Sequence, residues 1–200
     1  MAQKLSGAVW KQAALFHAPN ERVIGLGCGA GFGLADGSSH WWRACLIRKF
    51  LVVVDDTPEM NAALGYASQR ARSTGGRVVL LRVTPEATDE HWSGVRDEIR
   101  RQQREEAEQL LARLSDVVTE RSGHPPIFLI YEGDPLAAVR RAAAEDPDIK
   151  ILVLASATGG RGPGPLVSAV VSKGVGVEGR KLPVTIVPGE MTEADIADMA

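Results

Sequence analysis

The pattern of hydrophobic positions along the chain changes repeatedly from residue 50 onward. Short continuous apolar runs alternate with longer segments in which apolar residues recur every three or four positions. The short runs are typical of strands covered on both faces, and the longer segments are typical of amphipathic crossover helices. We predict strands at FLVVV (50–54), RVVLLRV (77–83), IFLIY (127–131), KILVLA (150–155) and LPVTIVP (182–188).

Local signals for helix ends stand between these strands. After the first strand, Thr57 is placed to cap a helix through its hydroxyl, and Pro58 suits the first helical position because its missing N–H is not needed there. Gly75 and Gly76 end this helix after about Thr74. Its expected buried positions are Met60, Ala63, Leu64, Ala67 and Ala71.

Three further helices are predicted between the later strands. Residues 91–123 read as a long charged helix, whose charges form a solvated face. Asp134 and Pro135 repeat the cap-then-proline start, and residues 165–173 form a short helix before the last strand. The apolar stripe expected on the long helix is Val95, Ile99, Ala107, Leu110, Leu111, Leu114, Val117 and Val118.

The order of these elements predicts the fold class. Five strands joined by helices form a doubly wound, five-stranded parallel sheet of Rossmann-like α/β type, with helices on both faces. This domain spans residues 48–189. The acidic residues 190–200 form a C-terminal tail with one or two exposed turns.

Composition separates the first quarter of the chain from the rest. Residues 1–49 hold six Lys/Arg and two Asp/Glu, whereas residues 50–200 hold 17 and 23. We interpret residues 1–47 as an N-terminal extension that is disordered or foreign to the native protein. Both cysteines, Cys28 and Cys45, lie in it with no zinc-ligand spacing and read as plain thiols in a reducing cytoplasm.

Overall charge and hydrophobicity exclude several classes of partner. The net charge of −2 and the pI near 6.1 give no electrostatic reason to expect nucleic acid or an acidic membrane. No window approaches the roughly 18 apolar residues that a membrane span needs. These features favour a protein of the cytoplasm.

The segment RVIGLGCGAGFG (22–33) has the appearance of a dinucleotide fingerprint. Only Val23 and Ile24 precede the first glycine, which is too short for a central strand, and more glycines and serines follow where the helix should begin. No strand ending in an acidic residue follows at the required spacing. The segment therefore does not predict a nucleotide site.

A second glycine-rich loop, LASATGGRGPGPLVS (154–168), has a better context. The fourth predicted strand ends at Ala155, and a helix begins after the glycines. Ligands of doubly wound sheets bind beyond the carboxyl ends of the strands, where the chain order reverses. Strands one and four are the natural neighbours there, so we expect Asp55 to face Ala155.

The stretches at 50–83 and 151–189 resemble the first strand–helix–strand unit and the closing loop–helix–strand unit of the universal stress proteins. The resemblance covers about residues 49–189. It implies a cytoplasmic homodimer that binds an adenine nucleotide, ATP or AMP with Mg. It assigns Asp55 to the adenosine and Val83, at the end of strand two, to the base.

The chain departs from the phosphate loop of that family, G-x2-G-x9-G-[S/T]. Aligned from the strand end, Ala155 and Thr158 stand at the first two glycines, and Ser168 with Ala169 at the closing pair. Aligned instead on Gly159 and Gly162, the spacing leads to Ser172 and Lys173, without the closing glycine.

The chemistry of this altered loop is mixed. Backbone N–H groups and hydroxyls can still coordinate phosphate, and Arg161 adds a positive charge. Pro163 and Pro165 each remove a donor, and we expect the nearby Asp56 to disfavour a polyphosphate.

No catalytic constellation is evident in the sequence. Ser156 and Ser168 have no evident histidine partner. The expected function is an adenine-nucleotide-binding stress-response regulator without efficient catalysis. The alternatives are a stress-protein dimer that acts without nucleotide, or a slow ATP hydrolase.

The last predicted strand indicates how two copies would assemble. It comes last in the chain and is expected at the sheet edge beside strand four. Its apolar residues are Val184, Ile186 and Val187, and their exposure to water at an unpaired edge is unfavourable. We expect it to pair with the same strand of a second copy about a two-fold axis.

Overall fold

The computed structural model describes residues 47–86, 93–157, 162–177 and 179–199. All but one residue of the predicted N-terminal extension lie outside these residues. The helices are α1 (Met60–Thr74), α2 (Ser93–Ser122), α3 (Pro135–Glu145), α4 (Pro165–Lys173) and α5 (Glu193–Asp198). The strands are β1 (Lys49–Val54), β2 (Arg77–Thr84), β3 (Ile127–Glu132), β4 (Ile149–Ser156), β5 (Gly176–Val177), β6 (Arg180–Lys181) and β7 (Val184–Pro188).

A five-stranded sheet forms the centre of the domain. Its order is β3-β2-β1-β4-β7, and all neighbouring strands run parallel. Alternate residues of β1 enter two separate cores: Phe50 and Val52 belong to one, and Leu51 to the other. The first core also holds buried residues of α1 and α2, and the second holds those of α3 and α4. The predicted doubly wound α/β fold is confirmed.

The start of α1 differs from the prediction. The helix begins at Met60 with Glu59 as its N-cap residue, and no side chain caps it. The Thr57 hydroxyl instead donates to Asp55 Oδ1 over 2.6 Å. The predicted Thr57 cap is wrong because Asp55, two residues earlier, competes for that hydroxyl.

The end of α1 agrees with the prediction. Gly75 takes a left-handed conformation with φ of 65°, and the Gly76 N–H donates to the carbonyl of Ala71 over 2.8 Å. Glycine adopts this conformation without the cost that a Cβ would impose. The predicted inward positions of α1 are all buried.

The long helix α2 is buried over part of its length only. Ala107, Leu111 and Val118 are buried, whereas Val95 and Val117 are 49% and 36% exposed. A helix of 30 residues is about 45 Å long. The eight residues of β2 span only about 26 Å, so the first turns of α2 extend past the sheet. Val95 lies in these first turns, whereas Val117 lies near the other end of the helix, turned about 100° away from the buried Val118. The expectation that both belong to the buried stripe is wrong.

The sequence between α4 and β7 contains an element that periodicity did not predict. Strands β5 and β6 form a two-stranded antiparallel sheet of their own. The Arg180 guanidinium donates to the carbonyls of Ala143, Pro147 and Ile149. These hydrogen bonds link the small sheet to the end of α3 and the start of β4.

The acidic C-terminal segment is more ordered than expected. Helix α5 begins with a capping box in which the side chains of Thr192 and Asp195 each bond the other's backbone N–H. Ile196 is only 5% exposed and packs beside Gly65 of α1, and Glu193 pairs with Arg121. The expected exposed turns are present as a six-residue helix, and the exception to their exposure is Ile196, which packs on α1.

Candidate functional site

A crevice opens where the carboxyl ends of β1 and β4 meet. These strands are neighbours, and the helices that follow them, α1 and α4, pack on opposite faces of the sheet. This divergence is the geometry that leaves room for ligands in doubly wound folds. The crevice has a volume of about 140 Å³. Its lining is Val53, Asp55, Thr57, Glu59, Met60, Leu154, Ala155, Ala157, Pro163, Gly164, Pro165, Leu166 and Val167.

Asp55 is held by the turn that follows β1. One carboxylate oxygen, Oδ1, accepts from both the N–H of Thr57, over 3.1 Å, and its hydroxyl, over 2.6 Å. These bonds fix the carboxylate beside the crevice. Within the part of the chain that the structure describes, the second oxygen accepts no hydrogen bond, so it is available to a ligand hydroxyl or amine.

Helix α4 begins at the opposite wall without a side-chain cap. Gly164 is the N-cap, with φ of 92° and ψ of 156°, and Pro165 is the first helical residue. The first helical hydrogen bond runs from the Ser168 N–H to the Gly164 carbonyl, over 3.0 Å. The N–H groups of Leu166 and Val167 have no acceptor among the described residues. They are available to an oxygen atom of a ligand.

The structure brings only some of the predicted site residues together. Asp55 and Ala155 both line the crevice. Gly162 is exposed and lies outside the lining, and the Ser168 hydroxyl donates to the Gly164 carbonyl over 2.8 Å within its own helix. Val83 borders a different groove, beside α2. The remaining two predicted residues, Gly159 and Arg161, lie outside the described residues.

Acidic residues near β1 are arranged differently from the expectation. Asp56 pairs with the Arg82 guanidinium over 2.6 Å, and Arg82 also donates to the Val54 carbonyl over 3.2 Å. Asp56 borders the same separate groove as Val83. The acid that lines the crevice beside Asp55 is Glu59, which sequence reasoning missed. Its only local signal is a polar residue in the turn after β1.

The described residues hold no evident catalytic group near the crevice. The Ser156 hydroxyl donates to the Ala157 carbonyl over 3.4 Å. The one histidine in the described ranges, His124, precedes the edge strand β3 and so lies at the amino ends of the strands, whereas the crevice is at their carboxyl ends. Across those ranges, no group of three or more His, Cys, Asp or Glu side chains is arranged to hold a metal ion. No helix in them combines the length and apolarity needed to cross a membrane.

The fold is a doubly wound α/β domain with a crevice at the point where the order of the strands reverses. A sequence profile of the universal stress protein family matches residues 46–188. This match covers most of the chain, and the protein belongs to the universal stress protein family. A search of curated proteins gave no significant match.

Solved structures of the same family share this fold. The universal stress protein UspA from Lactobacillus plantarum is 21% identical, covers 70% of this chain and 97% of its own, and gives a TM-score of 0.57. A family member from Burkholderia pseudomallei is 18% identical, covers 72% and 98%, and gives 0.55. One from Archaeoglobus fulgidus is 17% identical, covers 74% and 98%, and gives 0.54. At these identities the likeness establishes the fold alone.

Proposed function

We propose that this protein is a stress-response regulator of the cytoplasm that binds an adenine nucleotide in the crevice between β1 and β4, without efficient catalysis. One observation carries the proposal: the free carboxylate oxygen of Asp55 and the free N–H groups of Leu166 and Val167 border one crevice. An acceptor and two donors on apolar walls suit a ligand that combines a ring with hydroxyl groups. By the family resemblance, Asp55 holds the adenosine.

Calorimetric titration with AMP and with ATP, each with and without Mg²⁺, tests this function. We expect saturable binding that Asp55→Ala weakens about tenfold or more, because a hydrogen bond to a charged group is lost. Asp116→Ala is the matched control, since this exposed aspartate lies on α2 and outside the crevice. Folded protein that gives no heat with millimolar nucleotide would refute the proposal.

The absence of efficient catalysis is part of the proposal and has its own test. Ser156 has no histidine base beside it in the described ranges, and an unactivated serine is a weak nucleophile. Phosphate release from ATP should stay at the level of buffer alone. Release that depends on Asp55 would instead favour the slow hydrolase.

We propose that the protein is a homodimer that pairs through β7. Among the described residues, this strand hydrogen-bonds to β4 on one side only and forms an edge of the sheet. Ile186 is 40% exposed there, although Val187 is buried. An unpaired edge with apolar side chains favours antiparallel pairing with a second copy, which satisfies both edges at once.

A charge placed on that edge tests the assembly. Ile186→Lys should convert a dimer into a folded monomer in light-scattering measurements. Phe128→Lys is the matched control, because Phe128 is 43% exposed on β3, the other edge strand. A monomeric parent at micromolar concentration, or a dimer that only Phe128→Lys disrupts, would contradict pairing through β7.

A further inference from the structure

We infer that the crevice between β1 and β4 selects the uncharged nucleoside, adenosine, over its phosphorylated forms, with Glu59 as the residue that sets this preference. The inference rests on the proposed function, since it concerns the charge of the ligand at the same site. It makes the nucleoside end of the molecule the part that is recognised.

The charged side chains among the described lining residues are of one sign. Asp55 and Glu59 bring two carboxylates, and no lysine, arginine or histidine is among the described lining residues. Arg82, at the end of the neighbouring strand, is already engaged by Asp56 and by the Val54 carbonyl. A phosphate group entering this crevice therefore meets like charges at short range.

The start of α4 offers a phosphate little compensation. Residues 163–167 all line the crevice, but Pro163 and Pro165 have no N–H to donate. The Ser168 hydroxyl already donates within its own helix. The N-terminus of a helix acts as roughly half a positive charge, which is outweighed by two carboxylates. The free N–H groups of Leu166 and Val167 suit a neutral oxygen acceptor better than a polyphosphate.

Glu59 is held at the crevice by its packing. A Cβ added at Gly189 would lie 2.6 Å from the Glu59 Cβ, so the Glu59 stem lies directly against the Gly189 backbone. The Gly189 N–H in turn donates to the Ser156 carbonyl over 2.9 Å, at the end of β4. The stem of Glu59 is thus confined between α1 and the end of β7.

The test compares adenosine, AMP and ATP by calorimetric titration, each with and without Mg²⁺. We expect adenosine to bind tightest and ATP about tenfold or more weaker, from the repulsion by two nearby carboxylates. ATP that binds as tightly as adenosine, with or without Mg²⁺, would overturn the inference while leaving the proposed function intact. Failure of all three ligands to bind would overturn both.

A single variant assigns the preference to Glu59. Glu59→Gln keeps the shape of the side chain and removes its charge, so the affinity for ATP should rise several-fold relative to the affinity for adenosine. Glu120→Gln changes the net charge equally, but Glu120 is an exposed residue near the end of α2 and is not among the residues that line the crevice. It should change neither affinity. An unchanged preference in folded Glu59→Gln protein would remove Glu59 from this role.

Discussion

Helices α3 and α4 begin with the same two residues, Pro-Leu, yet their first turns are built differently. At α3, the Asp134 carboxylate accepts from the Ala137 N–H over 2.8 Å, and Leu136 is only 5% exposed. At α4, Gly164 provides no side-chain cap, and Leu166 is half-buried at the wall of the crevice.

The comparison shows that the first N–H groups of a helix can be bonded to a capping side chain or left without an acceptor. A capped first turn satisfies its own donors and buries its leucine in the core. An uncapped first turn leaves donors free and keeps a surface for a ligand, at a cost in stability. We expect substitutions at equivalent positions of α3 and α4 to separate these two roles.

The largest expected difference is between the two leucines. Leu136→Ala should lower the free energy of unfolding by about 2–5 kcal/mol, because it leaves a cavity in the core. Leu166→Ala should cost less than half as much, since that side chain is only half-buried. Urea denaturation measures both. Equal losses would show that the first turn of α4 is as firmly anchored as that of α3.

Replacement of the uncapped glycine should come next in size. Gly164 has φ of 92° and ψ of 156°, a conformation that side chains disfavour, although no atom of the described residues lies within 4 Å of an added Cβ. Gly164→Ala should therefore cost about 1–3 kcal/mol through backbone strain alone. Gly94→Ala is the control, because Gly94 also has open space but lies in α2. It should stabilise the protein slightly in thermal melts, and destabilisation there would contradict this explanation.

Removal of the cap of α3 should have a smaller effect. Asp134→Ala should lower the free energy of unfolding by about 1 kcal/mol, because the Ala137 N–H loses its acceptor. Asp134→Asn should restore most of this stability, since asparagine caps about as well. If asparagine is as damaging as alanine in denaturant titrations, then charge and not capping is the relevant property.

The smallest effect concerns the other capped helix, α5, at acid pH. The side-chain and backbone hydrogen bonds from Thr192 lower the pKa of Asp195 below its ordinary value. The ionised carboxylate therefore contributes stability above the unfolded-state pKa, and this contribution is lost as pH falls through the folded-state pKa. Hydrogen exchange, corrected for intrinsic rates, should show the amides of α5 losing protection below about pH 4. Thr192→Val should show that loss already at neutral pH, and full protection in the variant would contradict the role of the capping box.

Features decided by neighbouring residues could be predicted from the sequence. The cap at Asp134, the glycine end of α1 and the bounds of α4 all follow from signals within a few positions. Two parts of the strand order were also predicted: strands one and four are neighbours, and the last strand lies at the edge beside strand four.

Features that depend on distant contacts could not be predicted. The small β5–β6 sheet has two residues per strand, too few for a periodic pattern, and Arg180 fastens it through carbonyls far back in the chain. Glu59 reaches the crevice wall because Gly189, far along the chain, lies against it. At the site itself, the sequence led to Asp55 and Ala155 but not to the second carboxylate.

The contact between Gly189 and Glu59 joins two surfaces that have been treated separately. Gly189 directly follows Pro188, the last residue of the edge strand β7, and its backbone borders the side chain that faces the crevice. Gly189 therefore adjoins the edge strand and also contacts a residue that lines the crevice. If pairing along β7 shifts Gly189, it changes the affinity of the crevice. Thermodynamic linkage then requires an occupied crevice to change the dimerisation constant by the same factor.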